Sequence, residues 1–154
     1  MSPGFGRLQS AEDLLAKLRH DFARLEHDPT DQYAAFDFFV GAEHMIDWIL
    51  PGRANRQSRE TLRESNILLE VTSHIASGSK HFVAESSHHH SVSHVDAPPA
   101  AFDWNVFDGD AFQTGELVVT LEGAAAAKLG DRIRVRPLAL MVLQFWESRF
   151  SERQ

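Results

Sequence analysis

Between Asp31 and Pro51 the chain reads DQYAAFDFFVGAEHMIDWILP, and this stretch limits the fold more than any other. At about 100° per residue, Phe38, Phe39, Ala42, Met45, Ile46 and Ile49 share one helical face. The opposite face is not polar either: Tyr33, Phe36, Val40 and Trp48 alternate there with Asp37, His44 and Asp47. A helix that is apolar nearly all round belongs in the centre of its domain. Its polar side chains are then expected to be buried or half-buried and to need partners. Thr30 or Asp31 can cap its start, and Pro51-Gly52 stops it.

Other helices have to surround it. Ser10 with Asp13 has the spacing of an N-cap and its third helical residue. Leu14, Leu15, Leu18, Phe22 and Leu25 then form one stripe, which predicts a first helix over about residues 10–28. A third helix is expected over about 56–77, burying Leu62, Leu68, Leu69, Thr72, Ile75 and Ala76. Its other face would carry Arg59, Arg63, Asn66, Glu70, Ser73 and His74. Gly78 suits the residue just past a helix end, and Lys80 and His81 suit the negative end of its dipole. ELVVTLEG and DRIRVR read as strands, with Gly130-Asp131 as turn residues between them. Pro137 suits the first position of a closing helix, PLALMVLQFWESRF.

Residues 83–115 differ in character, being rich in Ser, His, Asp, Pro and Gly. Their first part reads as an edge strand, and the rest as a long loop pinned by Phe102, Trp104, Phe107 and Phe112. At 154 residues and 43% hydrophobic, the chain suits one domain, residues 1–154, with a sizeable core. The expected class is α+β: mainly a helical bundle, three N-terminal helices and one C-terminal helix, with a small antiparallel sheet.

Composition narrows the chemistry. With no cysteine there are no disulfides, thiolate nucleophiles or cysteine-based zinc sites. A net charge of −7 opposes indiscriminate nucleic-acid binding. The first residues lack the basic and apolar segments of a signal peptide, and no stretch is apolar enough to span a bilayer. A cytoplasmic protein without membrane partners is expected.

Two constellations remain as candidate sites. Imidazole and carboxylate ligands suit zinc or iron, so Asp37, His44, Asp47, Glu70 and His74 are the candidate ligands of a divalent metal. Otherwise no cofactor is expected. No complete helical metal motif is present, and Asp37 and His44 stand about 10 Å apart along their helix. His44, His74 and His81 are the candidate catalytic groups. The run HHHSVSH places His88, His90 and His94 on one side of a strand, a weak metal-binding tract. The second constellation is basic. Arg56, Arg59 and Arg63 lie on one face near a helix start, and Arg132, Arg134 and Arg136 alternate along a strand. Together they form a candidate anion-binding set for a phosphate, a nucleotide or an RNA backbone, with surface ion pairing to nearby glutamates as the simpler use. No Gly-x-Ser-x-Gly elbow or Walker-type phosphate loop occurs.

FDFFVGAEHMIDW, IASGSKHF and VLQFWESRF together resemble a set of small bacterial and phage-associated proteins without assigned activity. Those share a Phe-Asp-Phe-Phe…His…Asp-Trp helix, an Ala-Asn-Gly-x-Lys-His-Phe corner and a late Phe-Trp-Glu helix. Ser77 stands here in place of the asparagine. The corner is also distantly similar to the end of the catalytic helix in HEPN-type ribonucleases, small helical bundles that often dimerise. That likeness implies a HEPN-like shape, but no arginine stands four to six residues before His74 or His81. The favoured function is a small binding or regulatory module that recognises another protein, a second copy of itself or an anionic ligand. The alternative is a HEPN-like ribonuclease or a metal-dependent hydrolase built on a His/carboxylate site.

Overall fold

The computed structural model describes residues 5–81, 91–96 and 115–152. Among them the protein is mainly helical α+β. The helices are α1 (Ala11–His27), α2 (Gln32–Ile49), α3 (Arg56–Glu64), α4 (Ile67–His81), α5 (Gly123–Leu129) and α6 (Val135–Ser151). The strands β1 (Val92–Asp96), β2 (Val118–Leu121) and β3 (Arg132–Arg134) form one antiparallel sheet in the order β1-β2-β3.

Helix α1 begins as expected. Asp13 N–H donates to Ser10 Oγ at 3.1 Å, and Ser10 N–H donates to Asp13 Oδ2 at 2.9 Å, closing a capping box. The backbone N–H of Gln9 and the Ser10 hydroxyl hold the Asp13 carboxyl below its ordinary pKa. Leu14, Leu15, Leu18, Phe22 and Leu25 are all buried, matching the predicted stripe. Asp21 is buried among them, a placement the stripe did not reveal. It is held by Lys17 and lies 3.7 Å from Arg24, so the burial is compensated by charge.

Asp31, not Thr30, caps α2, accepting from the N–H groups of Tyr33 and Ala34. Phe38, Phe39, Ala42, Met45 and Ile46 reach the core, and α2 packs against α1, α4 and α6. The core cluster also takes Leu69 and Val71 from α4, Val119 and Leu121 from β2, and Leu138, Val142 and Trp146 from α6.

Three boundaries differ from expectation. The single third helix is two helices, broken at Ser65 and Asn66. Ser65 Oγ donates back to Leu62 O, and Asn66 Oδ1 accepts from Leu68 N–H, so two short polar side chains end one helix and start the next. The break resets the helical phase. Val71 and His74 are therefore buried, although one continuous helix would have placed His74 on its open face.

Helix α4 also runs through Gly78 to His81 instead of stopping at the glycine. Gly78 is not among the residues with positive φ, and a Cβ there would meet nothing within 4 Å. A lone glycine weakens a helix without ending it. Gly78→Ala should therefore raise stability by about 0.5–1 kcal/mol, the helix-interior difference between the two residues. Urea titration checks this, and a loss of stability would restore the expected cap.

The third boundary is at β3. The strand ends at Arg134, and Pro137 is the third residue of α6. Its missing N–H falls among those that a helix start leaves unpaired. Between β2 and β3 lies α5, built from the alanine run that follows Gly123 and closed by Gly130 at φ 89°. The edge strand is present as β1. Phe102, Trp104, Phe107 and Phe112 lie outside the described residues, as do His88 and His90.

Candidate functional site

The polar groups singled out in the sequence are mostly engaged with one another. Asp37 accepts from Arg24 Nη1 at 2.8 Å, which ties α2 to α1. Asp47 pairs with Arg59 at 3.0 Å, and Glu43 with Arg63 at 2.7 Å. Glu43 and Asp47 stand one turn apart on α2, as do Arg59 and Arg63 on α3. The pairs thus form two rungs between the helices, which run antiparallel. Arg59 Nη1 further donates to the carbonyls of Leu50 and Gly52, both at 2.7 Å, and so caps the end of α2.

The Glu43 rung is the least balanced. Arg63 Nε and Nη2 both address Oε1, while Oε2 is buried and accepts no hydrogen bond of good geometry. Burial pushes the Glu43 carboxyl above its ordinary pKa against the pull of Arg63. Asp47 pushes the same way, and the Ser73 hydroxyl opposes it least.

The arginine set is accordingly divided. Arg56 pairs with Glu60 at 3.0 Å along the exposed side of α3, while Arg59 and Arg63 carry the rungs between α2 and α3. Arg134 lies 3.5 Å from Glu116. Arg132 and Arg134 are exposed on β3, whereas Arg136 belongs to the first turn of α6. The three do not share one strand face, because the strand is shorter than the alternation suggested.

The histidine and carboxylate candidates do not gather. Among the described residues no three of His, Cys, Asp or Glu are placed to hold a metal ion together. His44 is exposed on α2, and Glu70 is half-buried on α4. His74 is buried, its Nδ1 accepting from the N–H of Val92 at 3.0 Å and of Ser91 at 3.3 Å, with Ser91 Oγ at 3.2 Å. A ring nitrogen that accepts two backbone donors carries no proton of its own. That imidazole fastens the start of β1 to α4. The backbone of His81 ends α4, and its side chain lies outside the described atoms.

What the sequence concealed is a surface. Helix α3 lies against the C-terminal half of α2, pairing with Glu43 and Asp47 there. In the N-terminal half, Tyr33 is 72% exposed and Phe36 49% exposed. Val40 next to them is half-buried but not packed against the core. These are the second-face apolar residues that all-round hydrophobicity had suggested were covered. Their signal was present, since Tyr33, Phe36 and Val40 recur at the spacing of a helix-pairing seam.

No helix among the described residues is long and apolar enough to cross a membrane. No family model matches the chain, and none of the curated proteins or solved structures matches it either.

Proposed function

We propose that the chain is a non-catalytic binding module that works as a symmetric dimer, joined through the open half of α2. The observation that carries this reading is the exposure of Tyr33 and Phe36 beside Val40. Tyrosine and phenylalanine are among the residue types enriched at the cores of protein interfaces.

The spacing favours a second copy as the partner. The stripe runs three residues from Tyr33 to Phe36 and four from Phe36 to Val40. When two α2 helices meet antiparallel across a two-fold axis, Phe36 lies at the axis and each Tyr33 faces the other copy's Val40. Such a surface is its own complement, as an isologous contact requires. Antiparallel helix dipoles also attract. The nearby Asp37 is already paired with Arg24, so the contact does not bring two unpaired carboxylates together.

Sedimentation velocity of untagged protein over a concentration series tests the proposal. A concentration-dependent dimer is expected. Phe36→Asp should weaken it by about 2 kcal/mol or more, roughly thirtyfold in Kd, with an unchanged far-UV spectrum. A monomer at every concentration, or a dimer indifferent to Phe36→Asp, would overturn it.

A further inference from the structure

Away from α2, two surface grooves of about 400 Å³ and 490 Å³ meet at one side chain, Arg149 near the end of α6. One groove lies between α4 and α6, with Leu68, Met141 and Phe145 forming an apolar wall. The other runs along α3, where Ser58, Thr61 and Ser65 bring hydroxyls to its surface. Both are open at the surface, and their volumes lie in the lower part of the range of small-ligand sites.

Arg149 is the charged group at the junction, and among the described residues it makes neither an ion pair nor a hydrogen bond. Its Nε is shut away from solvent without an acceptor. The other arginines that line helix contacts, Arg24, Arg59 and Arg63, are all matched by carboxylates. Arg149 is thus a partly desolvated cation that no carboxylate among the described residues pairs with, Glu152 lining the same groove without an ion pair to it, so an arriving anion finds the charge unmatched. Its place in the last turn of α6 favours a positive charge there but leaves the buried N–H unsatisfied.

We infer that this junction binds a small organic carboxylate with an apolar body, the carboxylate against Arg149 and the body along Leu68, Met141 and Phe145. The charge balance selects that class. The two terminal Nη groups of one guanidinium pair in a fork with one carboxylate. A phosphate dianion would want more cations than one, and Glu152 at the edge of the same groove opposes extra negative charge. The serine and threonine hydroxyls on the α3 side provide neutral hydrogen-bonding capacity for substituents. The site shares no residue with the dimer surface on α2, so either proposal can fail alone.

Isothermal titration calorimetry with octanoate, octanamide and inorganic phosphate, on the full chain, tests the inference. Octanoate should bind with one site per chain, and octanamide about tenfold more weakly or not at all, because it lacks the charge-assisted pair. Phosphate should not compete. Arg149→Gln should abolish the preference for octanoate over octanamide, and Arg149→Lys should recover only part of it, since lysine keeps the charge without the fork. Thermal melts of both variants establish that they fold. If Arg149→Gln does not fold, the octanoate–octanamide difference in the parent and in Arg149→Lys decides the matter. No octanoate binding, equal binding of octanamide, or tighter binding of phosphate would each overturn the assignment.

Discussion

Replacing Phe38 by alanine should lower the stability of the fold by about 3–5 kcal/mol, the usual cost of emptying a fully buried phenylalanine site. Phe38 has no exposed surface. Its ring lies 6.3 Å from that of Phe22 on α1, and 5.3 Å from that of Phe39, which meets it edge-on. The truncation therefore removes buried area and two aromatic contacts at the α1–α2 seam, where the surrounding helices have little freedom to collapse. Small domains have about 5–15 kcal/mol in all, so the variant should sit close to the folding threshold. Urea unfolding checks the outcome. The midpoint should fall sharply while the slope stays near the parental value, as expected if both end states keep their compactness. A midpoint within error of the parent would mean that the core is not centred on α2.

The central place of α2 was legible because burial follows periodicity, and periodicity is local. Leu14 to Leu25 on α1 and Phe38 to Ile46 on α2 announce their inward faces in the order of the letters alone. The capping box of Ser10 and Asp13 is equally local. What escaped depends on competition between nearby signals. Ser65 and Asn66 break a helix that the apolar pattern would carry through, and once the phase is reset His74 turns inward. Gly78 has the chemistry of a helix stop, yet the helix passes it. An alanine run between two strands makes α5, where turn residues alone had been expected.

The site was less legible than the fold, for a physical reason. An arginine announces charge but not its partner. Arg63 and Glu43 are 20 positions apart, and only the packing of α3 on α2 brings them together. The same is true of Arg24 and Asp37, which are 13 apart. Of the residues offered as anion-binding or metal-ligating, Arg59, Arg63, Asp37 and Asp47 thus pair between helices. Conversely, the exposure of Tyr33 and Phe36 was hidden because nothing local records that, among the described residues, α3 pairs with the Glu43 and Asp47 end of that face and not with the Tyr33 end. Arg149 belongs to the same class: that no carboxylate among the described residues pairs with it is visible only in the fold.

His74→Ala should cost about 2–4 kcal/mol, more than a surface histidine can lose, because three donors depend on one ring nitrogen. The N–H groups of Ser91 and Val92 and the Ser91 hydroxyl all converge on Nδ1, and both His74 and Ser91 are buried. Alanine removes the acceptor of both backbone donors, Ser91 in a buried position and Val92 in a half-buried one. The damage should also be local in a way that the Phe38 truncation is not. Val92 opens β1, which among the described residues lies at the edge of the sheet and pairs with β2, so the imidazole is one of the contacts that join it to the helical layer, beside the packing of Val92 on the core. Amide hydrogen exchange separates the two cases. In His74→Ala the amides of Ser91, Val92 and Val95 should exchange faster than in the parent, by more than the global loss explains, while amides of α1 and α2 follow the global loss alone. Equal acceleration everywhere would mean that β1 and the helices open as one unit. An unchanged melting temperature would mean that His74 bears no structural load, and would return its imidazole to the search for chemistry.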